Sequence, residues 1–124
     1  VVTLDSADEQ AVVQRLREAG SVFAEDEAQL LLETAADERE LDSLVRQRTD
    51  GMPLEHLLGW VEFAGMRLNV TAEVFVPRRR TELLVTTALR PPGRPARRSG
   101  VVVELCCGAA AVGAALAAEL DPLE

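Results

Sequence analysis

Through the first fifty residues the apolar positions recur every three to four places, the period of helices that bury one face. Ser6-Ala7-Asp8-Glu9 spells a capping box, in which a hydroxyl covers a free backbone N–H and the glutamate reaches back. Val12, Val13, Leu16 and Ala19 follow at helical spacing, and Gly20 suits a left-handed stop. A second helix is expected from about Glu25 to Ala36, acidic in its first turn, with Ala28, Leu31, Leu32 and Ala35 on one face. A third, from Glu38 to about Thr49, carries Leu41, Leu44 and Val45 before Gly51 and Pro53 close it. Helices this short do not persist alone, so their stripes must pack on one another as a small bundle.

After Gly51 the period changes. One helical turn fits before Gly59, and then Trp60-Val-Glu-Phe63 and Met66-Arg-Leu-Asn-Val70 alternate around Ala64-Gly65, a hairpin pattern. Trp60, Phe63 and Phe75 fall in this stretch and are expected to pack between the helical and the later parts. Residues 74–76 read as extended up to Pro77, and Thr81 to Leu89 as a helix with Leu83, Leu84, Thr87 and Ala88 as its apolar stripe. Residues 90–100 hold three prolines, two glycines and four arginines, the composition of a linker. Residues 101–105 then form a continuous apolar run of β-branched type, the pattern of a parallel strand covered on both faces. Cys106-Cys107-Gly108 turns the chain, and Ala109 to Leu120 reads as an Ala-rich helix. A strand of this kind needs neighbours on both sides, so the C-terminal part is expected to open a larger α/β domain. The fold expected is therefore an α+β fragment, with a helical domain over 1–50, a hairpin linker and connecting helix over 51–100, and a truncated domain beginning at 101–124.

Charge sharpens this division. The 124 residues carry a formal charge of −8, but residues 1–50 hold thirteen carboxylates against five arginines, whereas residues 78–100 hold seven arginines and only Glu82. The acidic half speaks against direct nucleic-acid binding, because phosphate repels it. The arginine segment could meet an anionic partner, or be a solvated surface. No apolar run approaches the length that crosses a bilayer, and the acidic N-terminal residues do not resemble a signal peptide, so a cytoplasmic location without membrane contact is expected.

The candidate chemistry is sparse. Cys106 and Cys107 are adjacent and His56 is the only histidine, too few for a metal centre built on His and Cys ligands. His56 is expected to be a partly buried polar residue after a helix turn. Cys107 as a nucleophile lacks a visible base. For Arg78 the spacing offers an ion pair with Glu82, four residues on. The stretch from Glu104 to Gly113 places small residues where a strand gives way to a helix, an arrangement that lets backbone approach a ligand, although plain helix-strand packing reads the same way. Glu104 is the exception in an apolar run, because an acid there is costly unless hydrogen-bonded.

The block Arg48-Thr-Asp-Gly51-Met-Pro53-Leu54-Glu-His56-Leu-Leu58-Gly59-Trp-Val-Glu62-Phe63-Ala-Gly65, followed by Val74-Phe-Val76-Pro77-Arg78-Arg-Arg-Thr81-Glu82-Leu-Leu-Val85, resembles the protein N5-glutamine methyltransferases that modify peptide-chain release factors. The resemblance runs in order over nearly the whole chain. It implies a helical domain that docks the protein substrate, a hairpin linker, and the first strand-loop-helix of a Rossmann-like domain that binds S-adenosylmethionine. It places Glu104 at the end of the first strand, Cys106, Cys107, Gly108, Ala109 and Ala110 in the loop around the cofactor, and Arg78 beside that loop. The family usually has glycine where Cys106 and Ala110 stand, and Pro-Arg-Pro-Glu-Thr-Glu where this chain has Pro77-Arg78-Arg79-Arg80-Thr81-Glu82. The Asn-Pro-Pro-Tyr motif that holds the glutamine amide is absent from these 124 residues, so no catalytic residue is expected within them, and no activity of this chain alone.

The activity implied is methyl transfer from S-adenosylmethionine to a glutamine side-chain nitrogen of a protein, such as a release factor. A second expectation is a non-catalytic module that binds a protein through the helical bundle. A nicotinamide enzyme is disfavoured, because the loop lacks the dinucleotide glycine pattern.

Overall fold

The computed structural model describes residues 6–95 and 101–120. The chain divides into two compact units, Val1–Gly59 and Trp60–Glu124.

The first unit is helical. It contains α1 (Ser6–Glu18), α2 (Ala24–Thr34), α3 (Glu38–Thr49) and the short α4 (Leu54–Leu58). Leu16, Leu31 and Val45, one from each of the three longer helices, are its most deeply buried large side chains. The expected stripes of α2 and α3 face this core, as do Val12, Val13 and Leu16 of α1, whereas Ala19 is exposed. α1 and α3 end by the same device. After α1, Ser21 N–H donates to the Leu16 carbonyl at 3.0 Å and Gly20 N–H to Arg17 at 3.0 Å; after α3, Met52 donates to Gln47 at 3.0 Å and Gly51 to Arg48 at 3.1 Å. This pairing requires a left-handed residue, which Gly20 (φ 95°) and Gly51 (φ 101°) supply. α3 begins with a cap: the Asp37 side chain accepts from Glu40 N–H at 2.9 Å, and the Glu40 carboxylate accepts from Ala36 N–H at 2.7 Å. α1 starts at Ser6, at the edge of the described residues.

One ion pair of this unit stands apart. Arg48 on α3 donates Nε–H to Glu27 Oε2 at 2.8 Å and Nη2–H to Oε1 at 2.9 Å, a bidentate fork reaching α2. Its Nη1 also donates to the Met52 carbonyl at 3.3 Å, just past the end of α3. Both partners are largely shielded, and the hydrogen bonds to Glu27 raise the Arg48 pKa further above its ordinary value. Arg15 and Arg46 both pair with Asp42 at 3.0 Å, but from exposed positions where such pairs contribute little.

The second unit opens with the hairpin of β1 (Trp60–Phe63) and β2 (Met66–Asn69), antiparallel, with Phe63 opposite Met66 and Glu62 opposite Arg67. Its two turn residues both have positive φ, Ala64 at 49° and Gly65 at 75°, the geometry that matches strand twist. The Arg67 guanidinium lies 3.7 Å from the centre of the Trp60 ring. A 3-10 turn (Arg79–Thr81) leads into α5 (Glu82–Leu89), and α6 (Ala111–Glu119) packs on α5. Phe63, Val85, Ala111, Ala115 and Leu116 form the buried core.

Three expectations are corrected here. Residues 101–105 form no strand: Val101, Val103 and Leu105 are 82%, 76% and 83% exposed, and the two-stranded hairpin is the sheet among the described residues. A strand is defined by its ladder partners, and none lies beside this run in the described residues. Of the expected α5 stripe only Ala88 faces the core, with Leu83, Leu84 and Thr87 exposed. Val85 is buried instead, and Leu89 also packs on the core. Phe75 is 69% exposed and does not pack as expected, while Phe63 is fully buried. The linker is irregular over 91–95, and its residues 96–100 lie outside the described residues. No helix among the described residues is long and apolar enough to cross a membrane.

Candidate functional site

The loop between Glu104 and α6 is built from small residues in an alternating backbone. Cys106, Gly108 and Ala110 all take left-handed conformations, with φ of 55°, 52° and 52°. Such a conformation is ordinary for glycine but strained by roughly 1–2 kcal/mol for a residue with a Cβ. The turn is tied by the Ala110 N–H, which donates to the Cys107 carbonyl at 2.7 Å, and Ala110 then starts α6 by accepting from Ala114 N–H at 2.9 Å. Cys106, Cys107, Gly108 and Ala110 are exposed and Ala109 is half-buried. Both cysteines are free thiols.

Glu104 is half-buried, and its Oε2 accepts from Gly113 N–H at 2.7 Å. That amide belongs to the first turn of α6, where the helix leaves its N–H groups without internal acceptors. An acid from the preceding segment thus caps the helix and meets the positive end of its dipole. The contact explains Gly113, because a Cβ there would stand 2.7 Å from the same oxygen. The sequence hints at this only as a glycine inside an Ala-rich helix.

The segment carrying Arg78 borders the loop. A Cβ on Gly108 would lie 4.0 Å from the Phe75 carbonyl oxygen, and the Arg78 guanidinium is 5.5 Å from the centre of the Phe75 ring. Phe75 is the residue that sequence reasoning misplaced: its carbonyl faces the space beside Gly108 and its ring lies under Arg78. Glu82 is engaged elsewhere, accepting from Ala64 N–H at 3.1 Å, so it ties the hairpin turn to α5 and forms no ion pair with Arg78. His56 is half-buried within α4, its backbone N–H donating to the Pro53 carbonyl at 3.1 Å.

Comparison with known proteins bears on what this architecture is. The chain is 38% identical over 91 residues to the release factor glutamine methyltransferase of Mycobacterium leprae, covering 70% of this chain and 30% of the relative. It is 39% identical over 87 residues to that of Escherichia coli, covering 69% and 30%, and 34% identical over 98 residues to that of Coxiella burnetii, covering 79% and 34%. The chain is a partial member of the release factor glutamine methyltransferase family. No family model matches it. It spans about 30% of the length of the first two of these relatives.

Within this family setting the recognisable block from Arg48 to Gly65 has a local explanation. Arg48 joins two helices, Gly51 ends α3, Pro53 caps α4, Gly59 (φ 77°) ends α4, and Gly65 turns the hairpin. None of these roles is chemical. Cys106 and Ala110, where the resemblance led to an expectation of glycine, are two of the three left-handed positions of the loop.

Proposed function

We infer that this chain contributes the helical part and the cofactor loop of an enzyme that methylates a glutamine side chain in a protein substrate, in a cytoplasmic setting. The family membership supports the reaction class, and the alternating left-handed backbone at residues 106, 108 and 110 is the observation that carries the site. The backbone conformation fits S-adenosylmethionine: the loop is exposed, its side chains are small, and it stands at the N-terminus of α6. When bound, S-adenosylmethionine supplies the electrophilic methyl group. Gly108 leaves backbone accessible to the cofactor's methionine portion, and residues 106, 107, 109 and 110 form the walls of that approach. Glu104 orients the loop by holding the first turn of α6, and Arg78 presents a cation at its border. The helical domain over 1–50 docks the protein substrate, with a release factor as the expected class. The side chains that polarise the glutamine amide lie outside these 124 residues.

A chimera tests this reading. Residues 60–120 replace the corresponding segment of the Escherichia coli relative, and methyl transfer from labelled S-adenosylmethionine to a release factor is measured. Transfer above background is expected, increased by Ala110→Gly and abolished by Gly108→Val. A folded chimera indifferent to Gly108→Val would mean that this loop is ordinary packing. The isolated 124-residue chain is expected to transfer no methyl group and to bind the cofactor at best millimolarly, about 4 kcal/mol short of micromolar binding.

A further inference from the structure

The arginines of the two units are used differently. In the first unit Arg15, Arg17, Arg46 and Arg48 each pair with a carboxylate, whereas Arg39 forms no ion pair among the described residues. In the second unit Arg67 covers Trp60 and Arg78 covers Phe75, while Arg79 and Arg80 have no ion-pair partner among the described residues. Residues 78–80 are exposed and consecutive at the start of a 3-10 turn. The nearest acid in sequence, Glu82, is held by the Ala64 amide. Three adjacent cations therefore stand together without an ion pair among the described residues, an arrangement that an anionic partner complements.

We propose that Arg78, Arg79 and Arg80 form a docking rim for an acidic segment of a partner polypeptide. Arg78 precedes the 3-10 turn in extended backbone, and Arg79 and Arg80 open it, so the three cations are consecutive on one exposed segment, and the guanidinium fork of each suits carboxylate geometry. A nucleic acid fits less well. One face of the Phe75 ring, the adjacent surface on which a base would stack, already carries Arg78. The rim concerns binding alone, and its test rests on Arg79 and Arg80, to which the proposed methyl transfer gives no part.

The test uses the full 124-residue chain and fluorescence anisotropy with three labelled probes: a ten-residue peptide alternating Glu and Gly, its Gln-for-Glu counterpart, and a ten-nucleotide uridine RNA. The acidic peptide is expected to bind about fivefold or more tighter than the Gln peptide at low salt, the preference shrinking as salt screens it. The double variant Arg79→Gln/Arg80→Gln should remove the preference with an unchanged thermal melt, whereas Arg39→Gln, at an exposed position of the first unit, should retain it. Equal binding of the two peptides, binding of neither, or tighter binding of the RNA would overturn the proposal. So would a dimer in sedimentation that the double variant dissociates, since the rim would then serve a second copy of this chain.

Discussion

Replacing Ala110 by glycine should stabilise the second unit, against the usual effect of a glycine substitution. Ala110 stands at φ 52° and ψ 34°, where a Cβ costs roughly 1–2 kcal/mol. Removing the Cβ also frees the unfolded chain, which offsets about 0.4–1 kcal/mol of that gain. The side chain is exposed, so little packing is lost. The net expectation is a stabilisation of about 0.5–1 kcal/mol, and Cys106→Gly, also exposed and at φ 55°, should act in the same direction. Urea unfolding followed by circular dichroism measures it as a rise in midpoint at constant slope. Ala117→Gly is the control. Ala117 is exposed inside α6, so glycine there should destabilise by about 1 kcal/mol. If Ala110→Gly destabilises as Ala117→Gly does, the left-handed assignment of the loop is wrong, and the reason for expecting glycine to improve cofactor approach goes with it.

Arg48→Met should destabilise the helical unit by about 1–3 kcal/mol, because Glu27 keeps its charge in a shielded position without its fork, and the melting midpoint should fall accordingly. Gly113→Ala should change sign with its surroundings: near neutral in the native chain, where helix propensity is offset by displacement of the Glu104 carboxylate, but stabilising by about 1 kcal/mol in a Glu104→Ala background, as a double-mutant cycle in urea would reveal. Glu25 is held below the ordinary carboxylate range first by a backbone hydrogen bond and then by Arg17. Its contribution is therefore present above the unfolded-state pKa and lost as pH falls through the lower folded one, so Glu25→Gln should flatten the acid limb of a plot of midpoint against pH; an unchanged limb would remove Glu25 from the account.

The helical unit was legible because its determinants are local. Leu41, Leu44 and Val45 share one face by spacing alone, and Gly20 and Gly51 stop helices through bonds to residues no more than five positions away. The second unit was legible only in part, for two separate reasons. Glu82–Leu89 contains apolar residues on every side, so periodicity cannot choose between Leu84 and Val85, and the choice falls to α6 and Phe63. Residues 101–105 have the composition of a buried strand, but strand formation depends on partners distant in sequence, and an apolar β-branched run reads identically with or without them.

Membership of the family and competence of the loop rest on different kinds of residue, and this separates the two questions physically. The block from Arg48 to Gly65 is recognisable because helix stops, caps and a two-residue turn admit few side chains: Gly51, Gly59 and Gly65 sit at φ values that other residues adopt only under strain. The same restriction applies to residues 106, 108 and 110, yet two of these three carry a Cβ and the backbone holds the left-handed conformation regardless. The strain must therefore be met by surrounding interactions. The Ala110–Cys107 bond and the Glu104 cap on Gly113 are the two that bracket the loop. It follows that weakening the Glu104 cap should relax Cys106 and Ala110 toward ordinary backbone conformations. Glu104→Ala should then make Ala110→Gly less stabilising than it is in the native chain. A purely local account of the strain, in which each residue bears its own cost, instead requires the two substitutions to add.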